Sequence, residues 1–287
     1  PGGRRRMTIP CDLELAERLR RQTPSPATGE ADGFLYRFDP SVPCLVTAIH
    51  AGHRVREELR PLMAISETQR FLEEDPATDE MIRDCPSTVR GLDSRAEYDL
   101  NRPPEKAVPL TPEQFWGKMV YRQPLAEDMI RRSLAKHAAF YAFLGSALTI
   151  LLERFGACVV YDIHSYNLNR QVKENKIEDP PVFNLGTAAL DRKKWSRPID
   201  QWLERLGGID LPGIPTTVAE NKVFGGGGEL CRRLTGWDPR ILVLPTEIAK
   251  VYMDEADGVI FPDVVKALGK GLERAVADHA GGFLAGR

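Results

Sequence analysis

His164 stands in the stretch Tyr161-Asp162-Ile163-His164-Ser165-Tyr166-Asn167, directly after the apolar, β-branched run Cys158-Val159-Val160. That run reads as a buried strand. A histidine at its end falls on the rim of a sheet, where open α/β folds bind ligands. A second segment has the same form: residues 43–49, Pro-Cys-Leu-Val-Thr-Ala-Ile, run into His50-Ala51-Gly52-His53. A lone histidine is more often a satisfied core or capping residue. Three of the chain's five histidines just past predicted strands form a metal-site pattern. Neutral imidazole is a preferred zinc donor, and catalytic zinc usually takes three protein ligands. His50 and His164 are expected to supply two of them. For the third, His53, Glu74 and Asp75 stay open. A carboxylate is preferred, because two histidines with one carboxylate is a recurrent hydrolytic set.

Other residues suit the same chemistry. Asp99 and Asp162 have the type that accepts the second ring N–H of a ligand imidazole. Asn101-Arg102 offers a planar, bidentate clamp for an anion, with Arg95 as a second charge. Glu247 ends a predicted strand, on the same rim as the histidines if the sheet is parallel. A carboxylate there can take a proton from water and return it to a leaving amine. Gly225 to Gly228 precede a helical stretch and let backbone N–H groups approach an anionic substrate. Each residue also has an ordinary role as cap, surface ion pair or mobile loop; it is their combination that favours a site. There is no GxxxxGK[ST] and no GxGxxG after a strand, so nucleotide binding is not expected.

The elements that must position these residues follow from periodicity. Strands are predicted at 34–38, 43–50, 87–90, 158–164, 216–219 and 241–246. Helices are predicted at 13–21, 67–73, near Pro76, over 124–155, at 197–206 and at 262–284. The second half of the 124–155 helix is apolar nearly all round and should pack on the sheet. From 165 to about 191 the chain reads as loop, and residues 1–35 as partly irregular. Strands alternating with helices imply an α/β fold, three layers (α/β/α) around a mixed central sheet. No internal repeat or linker divides it, so a single domain spanning 1–287 is expected.

The chain has 287 residues, 42% hydrophobic and 28% charged, enough for one large α/β domain. A formal net charge of −2 provides no global field for nucleic acid or an anionic membrane. The dense basic run Arg4-Arg5-Arg6 precedes Met7, a candidate biological start, and no charged-then-apolar leader follows. The most apolar segment, around 140–152, is too short to span a bilayer. Cys11, Cys44, Cys85, Cys158 and Cys231 are odd in number and contain no CxxC, which points to a reducing cytoplasm.

These segments together resemble the N-formylglutamate amidohydrolase family and, more distantly, the zinc carboxypeptidases and aspartoacylase-like deacylases. Ile163-His164-Ser165-Tyr166 is similar to the carboxypeptidase His-Ser-Tyr segment, whose His binds zinc. Asp99-Leu100-Asn101-Arg102 resembles that group's Asp-Leu-Asn-Arg, where Asn and Arg hold the substrate carboxylate and Asp supports a ligand His. Thr246-Glu247 falls where the general base is expected. His50-Ala51-Gly52 resembles the His-Ser-Gly or His-Ala-Gly of formylglutamate enzymes, and Asp75 an acidic position after their first His. Asn221 to Gly226 resembles their Asn-x-x-Tyr/Phe-x-Gly-Gly loop. The family's carboxypeptidase relatives have Glu three residues after the first His, where this chain has His53. The resemblance, over about residues 43–252, implies a zinc amidohydrolase acting on a small N-acyl amino acid. Tyr166, Asn221, Gly225 and Gly226 would join Asn101, Arg102 and Arg95 around the substrate. Alternatives are a zinc peptidase acting on peptides or cell-wall fragments, and a relative that binds carboxylates without turnover.

Overall fold

The computed structural model describes residues 9–21 and 26–284; Arg4-Arg5-Arg6 and Met7 lie outside them. Eight strands form one sheet: β1 (Ala27–Ala31), β2 (Phe34–Phe38), β3 (Cys44–Ala48), β4 (Thr88–Gly91), β5 (Cys158–Tyr166), β6 (Phe183–Leu185), β7 (Val218–Glu220) and β8 (Ile241–Ala249). Their order is β1-β2-β4-β3-β5-β8-β6-β7. β4, β3, β5 and β8 run parallel, while β2 and β6 join them antiparallel, so the sheet is mixed.

Strand alternation sorts the apolar residues onto two faces. Leu45, Val160 and Val243 point into one core cluster, which they share with Phe140, Leu144 and Leu148 of the Glu127–Phe155 helix. Val46, Val159, Tyr161, Leu242 and Leu244 point into the other, with Ile199 and Trp202 of the Ser196–Gly207 helix and Leu268, Leu272 and Val276 of the Pro262–Phe283 helix. The layers are therefore α/β/α. The Glu127–Phe155 helix has 29 residues and is long and apolar enough to cross a membrane; 61% of its most apolar window is buried in the protein. Predicted bounds of 124–155 included three residues that precede its first turn.

Several elements differ from the expectations. β5 continues through His164 to Tyr166, and β8 continues past Pro245 to Ala249. A proline argues against a central strand because it lacks a ladder donor. Here the Pro245 carbonyl accepts from Gly186 N at 3.0 Å, so this residue faces the β6 side, where pairing starts only at Thr246. Its missing N–H costs no bond to β5. The stretch taken as loop contains the Leu168–Lys173 helix and β6, and the N-terminal stretch contains β1, which forms by pairing with β2. The helix expected at Pro76 is Thr78–Met81, entered through Ala77 at φ 64°.

Candidate active site

The parallel register of β5 and β8 sets His164 directly beside Glu247. His50 follows β3, the neighbour of β5 on the other side, by two residues. Three donor atoms then converge. His50 Nδ1 lies 3.1 Å from His164 Nδ1 and 3.4 Å from Asp75 Oδ2, and His164 Nδ1 lies 3.1 Å from Asp75 Oδ2. All three side chains are buried. Ligands held about 2.0 Å from a tetrahedral zinc ion would sit about 3.3 Å apart, so the donor set and its spacing fit that ion.

The outer nitrogens of both rings meet carboxylates, as ligand imidazoles usually do. His50 Nε2 is 2.8 Å from Asp99 Oδ1. His164 Nε2 is 3.0 Å from Asp162 Oδ2, although it lacks an aligned hydrogen-bond partner among the described residues. Thr47 Oγ1 donates to the other Asp162 oxygen at 2.7 Å, and Ser165 Oγ to Asp75 Oδ1 at 3.2 Å, leaving Oδ2 for the centre. Burial alone would raise the Asp75 carboxyl, but hydrogen bonds from His164 and His50 outweigh it and hold the group well below the usual range. At Asp99 burial is likewise outweighed, first by Arg95 and then by His50. Burial pushes His164 down, yet Asp162 and then Asp75 carry it well above the usual histidine value.

Of the three candidates for a third ligand, Asp75 alone reaches the centre. Glu74 is in extended backbone, φ −78° and ψ 177°, so its side chain points opposite to that of Asp75. It is buried against Arg70, Ser94 and His53. His53 has both ring nitrogens engaged there: Nδ1 with Glu74, and Nε2 accepting from Arg70 Nη2 at 3.0 Å. Neither His53 nor Glu74 is brought to the converging donors.

Glu247 lines the cavity beside His164. Its carboxyl is pushed up to about 7, by burial first and then by Asp75 and Asp162, against the downward pull of His164 and Arg95. A carboxyl poised near neutrality suits proton transfer at working pH. The cavity has two lobes, of about 500 and 410 Å³, which share Arg95, Asn101, His164, Phe224 and Glu247. A larger cavity of about 720 Å³ lies beyond Gly52 and His53, but none of the converging donors opens into it.

The smaller lobe holds Arg102, half-exposed, with Lys106, Arg232 and the glycine run from Gly225 to Gly228. Arg95 donates to Asp99 Oδ2 from Nε at 3.2 Å and from Nη2 at 2.8 Å, so its first duty is to the carboxylate behind His50. Asn101 Oδ1 accepts from Leu230 N at 3.1 Å, at the start of the Glu229–Trp237 helix. A Cβ on Gly228 would lie 2.3 Å from that oxygen. Gly228→Ala is therefore expected to displace the Asn101 amide, raising KM more than it lowers kcat, as steady-state kinetics would show. An unchanged KM would mean that this close approach does not matter to substrate.

Tyr166 is buried in the wall of the larger lobe, its hydroxyl donated to Pro181 O, so it offers its ring rather than a free hydroxyl. Asn221, at φ 57°, stands outside the cavity wall. It staples the loop by accepting from Thr187 N at 2.7 Å and donating to Thr187 Oγ1 at 2.8 Å.

Sequence reasoning missed Lys250, Ser165, Thr47 and Asn184. Lys250, buried at the end of β8, donates to Leu72 O at 2.6 Å, Asn167 Oδ1 at 2.7 Å and Glu74 O at 2.8 Å. It thereby ties the loop carrying Asp75 to the sheet; burial pushes its ammonium down to about 8. Asn184, buried in β6, clamps the glycine run through Val223 N and Phe224 O, at 2.8 and 2.9 Å. A lysine directly after the largely apolar run of β8 was the available signal for the first.

No curated protein matches the chain. It is similar in fold to N-formylglutamate amidohydrolase from Ralstonia eutropha JMP134, at 18% identity and TM-score 0.70, over 88% of this chain and 100% of that one. It is also similar to gene product Atu2144 from Agrobacterium tumefaciens, at 18% identity and TM-score 0.62, over 88% and 96% of the two chains. The sequence model described as N-formylglutamate amidohydrolase matches residues 42–253, well over half the chain and every residue of the converging site. The chain belongs to the N-formylglutamate amidohydrolase family and is a hydrolase.

Proposed function

We propose that this protein is a zinc-dependent amidohydrolase that cleaves an N-acyl amino acid of the N-formylglutamate type. Water adds across the amide C–N bond, giving a carboxylic acid and the free amino acid. The observation that carries this reading is the meeting of His50 Nδ1, His164 Nδ1 and Asp75 Oδ2 within 3.1–3.4 Å, with Glu247 beside them.

His50, His164 and Asp75 would hold the zinc. When bound, the ion polarises the acyl carbonyl and lowers the pKa of water toward neutrality. Asp99 and Asp162 fix the two rings so that Nδ1 faces the centre. Glu247 takes the proton from the attacking water and delivers it to the leaving amine. Arg102 and Asn101 hold the substrate's carboxylate, and the glycine run shapes the wall of that lobe. The five free cysteines, four of them buried, support a reducing compartment such as the cytoplasm.

Formate release from N-formylglutamate tests the reading. Hydrolysis is expected in the zinc-loaded protein and should be lost on chelation; undiminished turnover after full metal removal would overturn zinc dependence. Arg102→Ala is expected to cost about 1.5–3 kcal/mol in kcat/KM, the worth of one hydrogen bond to a charged group. Full efficiency in that variant would remove Arg102 from the clamp.

A further inference from the structure

If Arg102, Asn101 and the glycine run hold the amino-acid half in the smaller lobe, the acyl half points into the larger one. That lobe measures about 500 Å³. A formyl group has two heavy atoms and fills little more than the space of one water, about 30 Å³. The lobe thus leaves most of its room beyond a formyl carbon.

Its outer wall has a built charge arrangement. Glu73 is buried, and Arg170 donates to it at 2.6 and 2.9 Å while Lys118 Nζ donates at 2.6 Å. Two cations on one carboxylate leave one positive charge in excess. Of the further acids that act on Arg170, Glu174 is 72% exposed and 3.9 Å away, too solvated to cancel the excess, and Glu255 is engaged by Leu168 N and Asn169 N at 2.6 and 3.2 Å. Trp116 lies between Arg95 and Arg170, its ring centre 4.6 and 5.8 Å from their guanidinium carbons, which stiffens the wall. The other cations of the lobe are already committed, Arg95 to Asp99 and Lys250 to three oxygens.

We infer that the preferred substrate, within the amidohydrolase reading on which this rests, carries an acyl group of several heavy atoms ending in a carboxylate, received by Arg170 and Lys118. Hydrolysis would then release a dicarboxylic acid and the amino acid, with water as the only co-reactant.

The test compares kcat/KM of the zinc-loaded enzyme for N-formyl-, N-butyryl- and N-succinylglutamate, in wild type and Arg170→Ala. The succinyl compound is expected to exceed both others by about 10- to 100-fold, the effect of one charge-assisted hydrogen bond gained. Arg170→Ala should shrink that ratio, chiefly through KM. Formyl as the best substrate overturns the inference while keeping the amidohydrolase reading. Equal rates for butyryl and succinyl overturn the charged end of the acyl group. Hydrolysis of none of the three overturns both readings together.

Discussion

Replacing Glu247 with Gln is expected to lower kcat about 10²- to 10⁴-fold, the usual worth of a positioned general base. Metal content should stay at the wild-type level, because Glu247 is not among the converging donors. The same change should stabilise the metal-free protein at neutral pH. The folded carboxyl titrates at about 7 against an ordinary value of 4.5. Between those values the folded state binds a proton that the unfolded chain has lost, so stability falls as pH rises. Above pH ~7 the full difference is reached, up to about 3 kcal/mol. Gln carries no such charge. Urea melts of the chelated protein should therefore diverge between wild type and Glu247→Gln from pH ~4.5 to ~7, with the variant more stable at the upper end. Equal stability at every pH would show that burial does not raise this carboxyl, and activity within about tenfold of wild type would remove Glu247 from the role of general base.

Lys250→Met is the second large effect. It leaves the carbonyls of Leu72 and Glu74 and the Asn167 side chain without their donor, in a place where Lys250 itself is buried. Unsatisfied buried acceptors cost about 1–3 kcal/mol each, partly relieved by relaxation, so a loss of about 2–4 kcal/mol is expected. Because Glu74 precedes Asp75, metal affinity should fall as well. Chemical denaturation and zinc titration measure the two losses separately. A variant as stable as wild type, with unchanged zinc affinity, would show that the loop holds Asp75 in place without this tether.

How much of this was legible before the fold was known depended on where a residue stood. His50, His164 and Glu247 each follow or end an apolar run, so the rim of the sheet could be anticipated from pattern alone. The choice of Asp75 over Glu74 could not. Both are acidic neighbours, and only the extended backbone at Glu74 decides which one faces the histidines. Asp99 was read as the support of a ligand imidazole and lies 2.8 Å from His50 Nε2. Arg95 was read as a substrate charge, while its guanidinium is committed to Asp99.

The overlooked elements are those whose formation is tertiary. β6 has only three residues, too few for any period, and exists through pairing with β7 and β8. β1 is Ala-Thr-Gly-Glu-Ala, a poor strand former held by β2. Pro245 concealed the last part of β8 because its donor is dispensable only in this pairing environment. With β6 went Asn184 and hence the clamp on the glycine run, so the walls of the cavity were less predictable than its centre.

The most direct test of the account is zinc content measured with formate release from N-formylglutamate, in wild type, His164→Ala and Asp75→Ala. About one zinc per chain in wild type, lost together with hydrolysis in both variants, is the expected result for a three-ligand catalytic site. No zinc in wild type after reconstitution, or zinc and turnover retained in either variant, would contradict it.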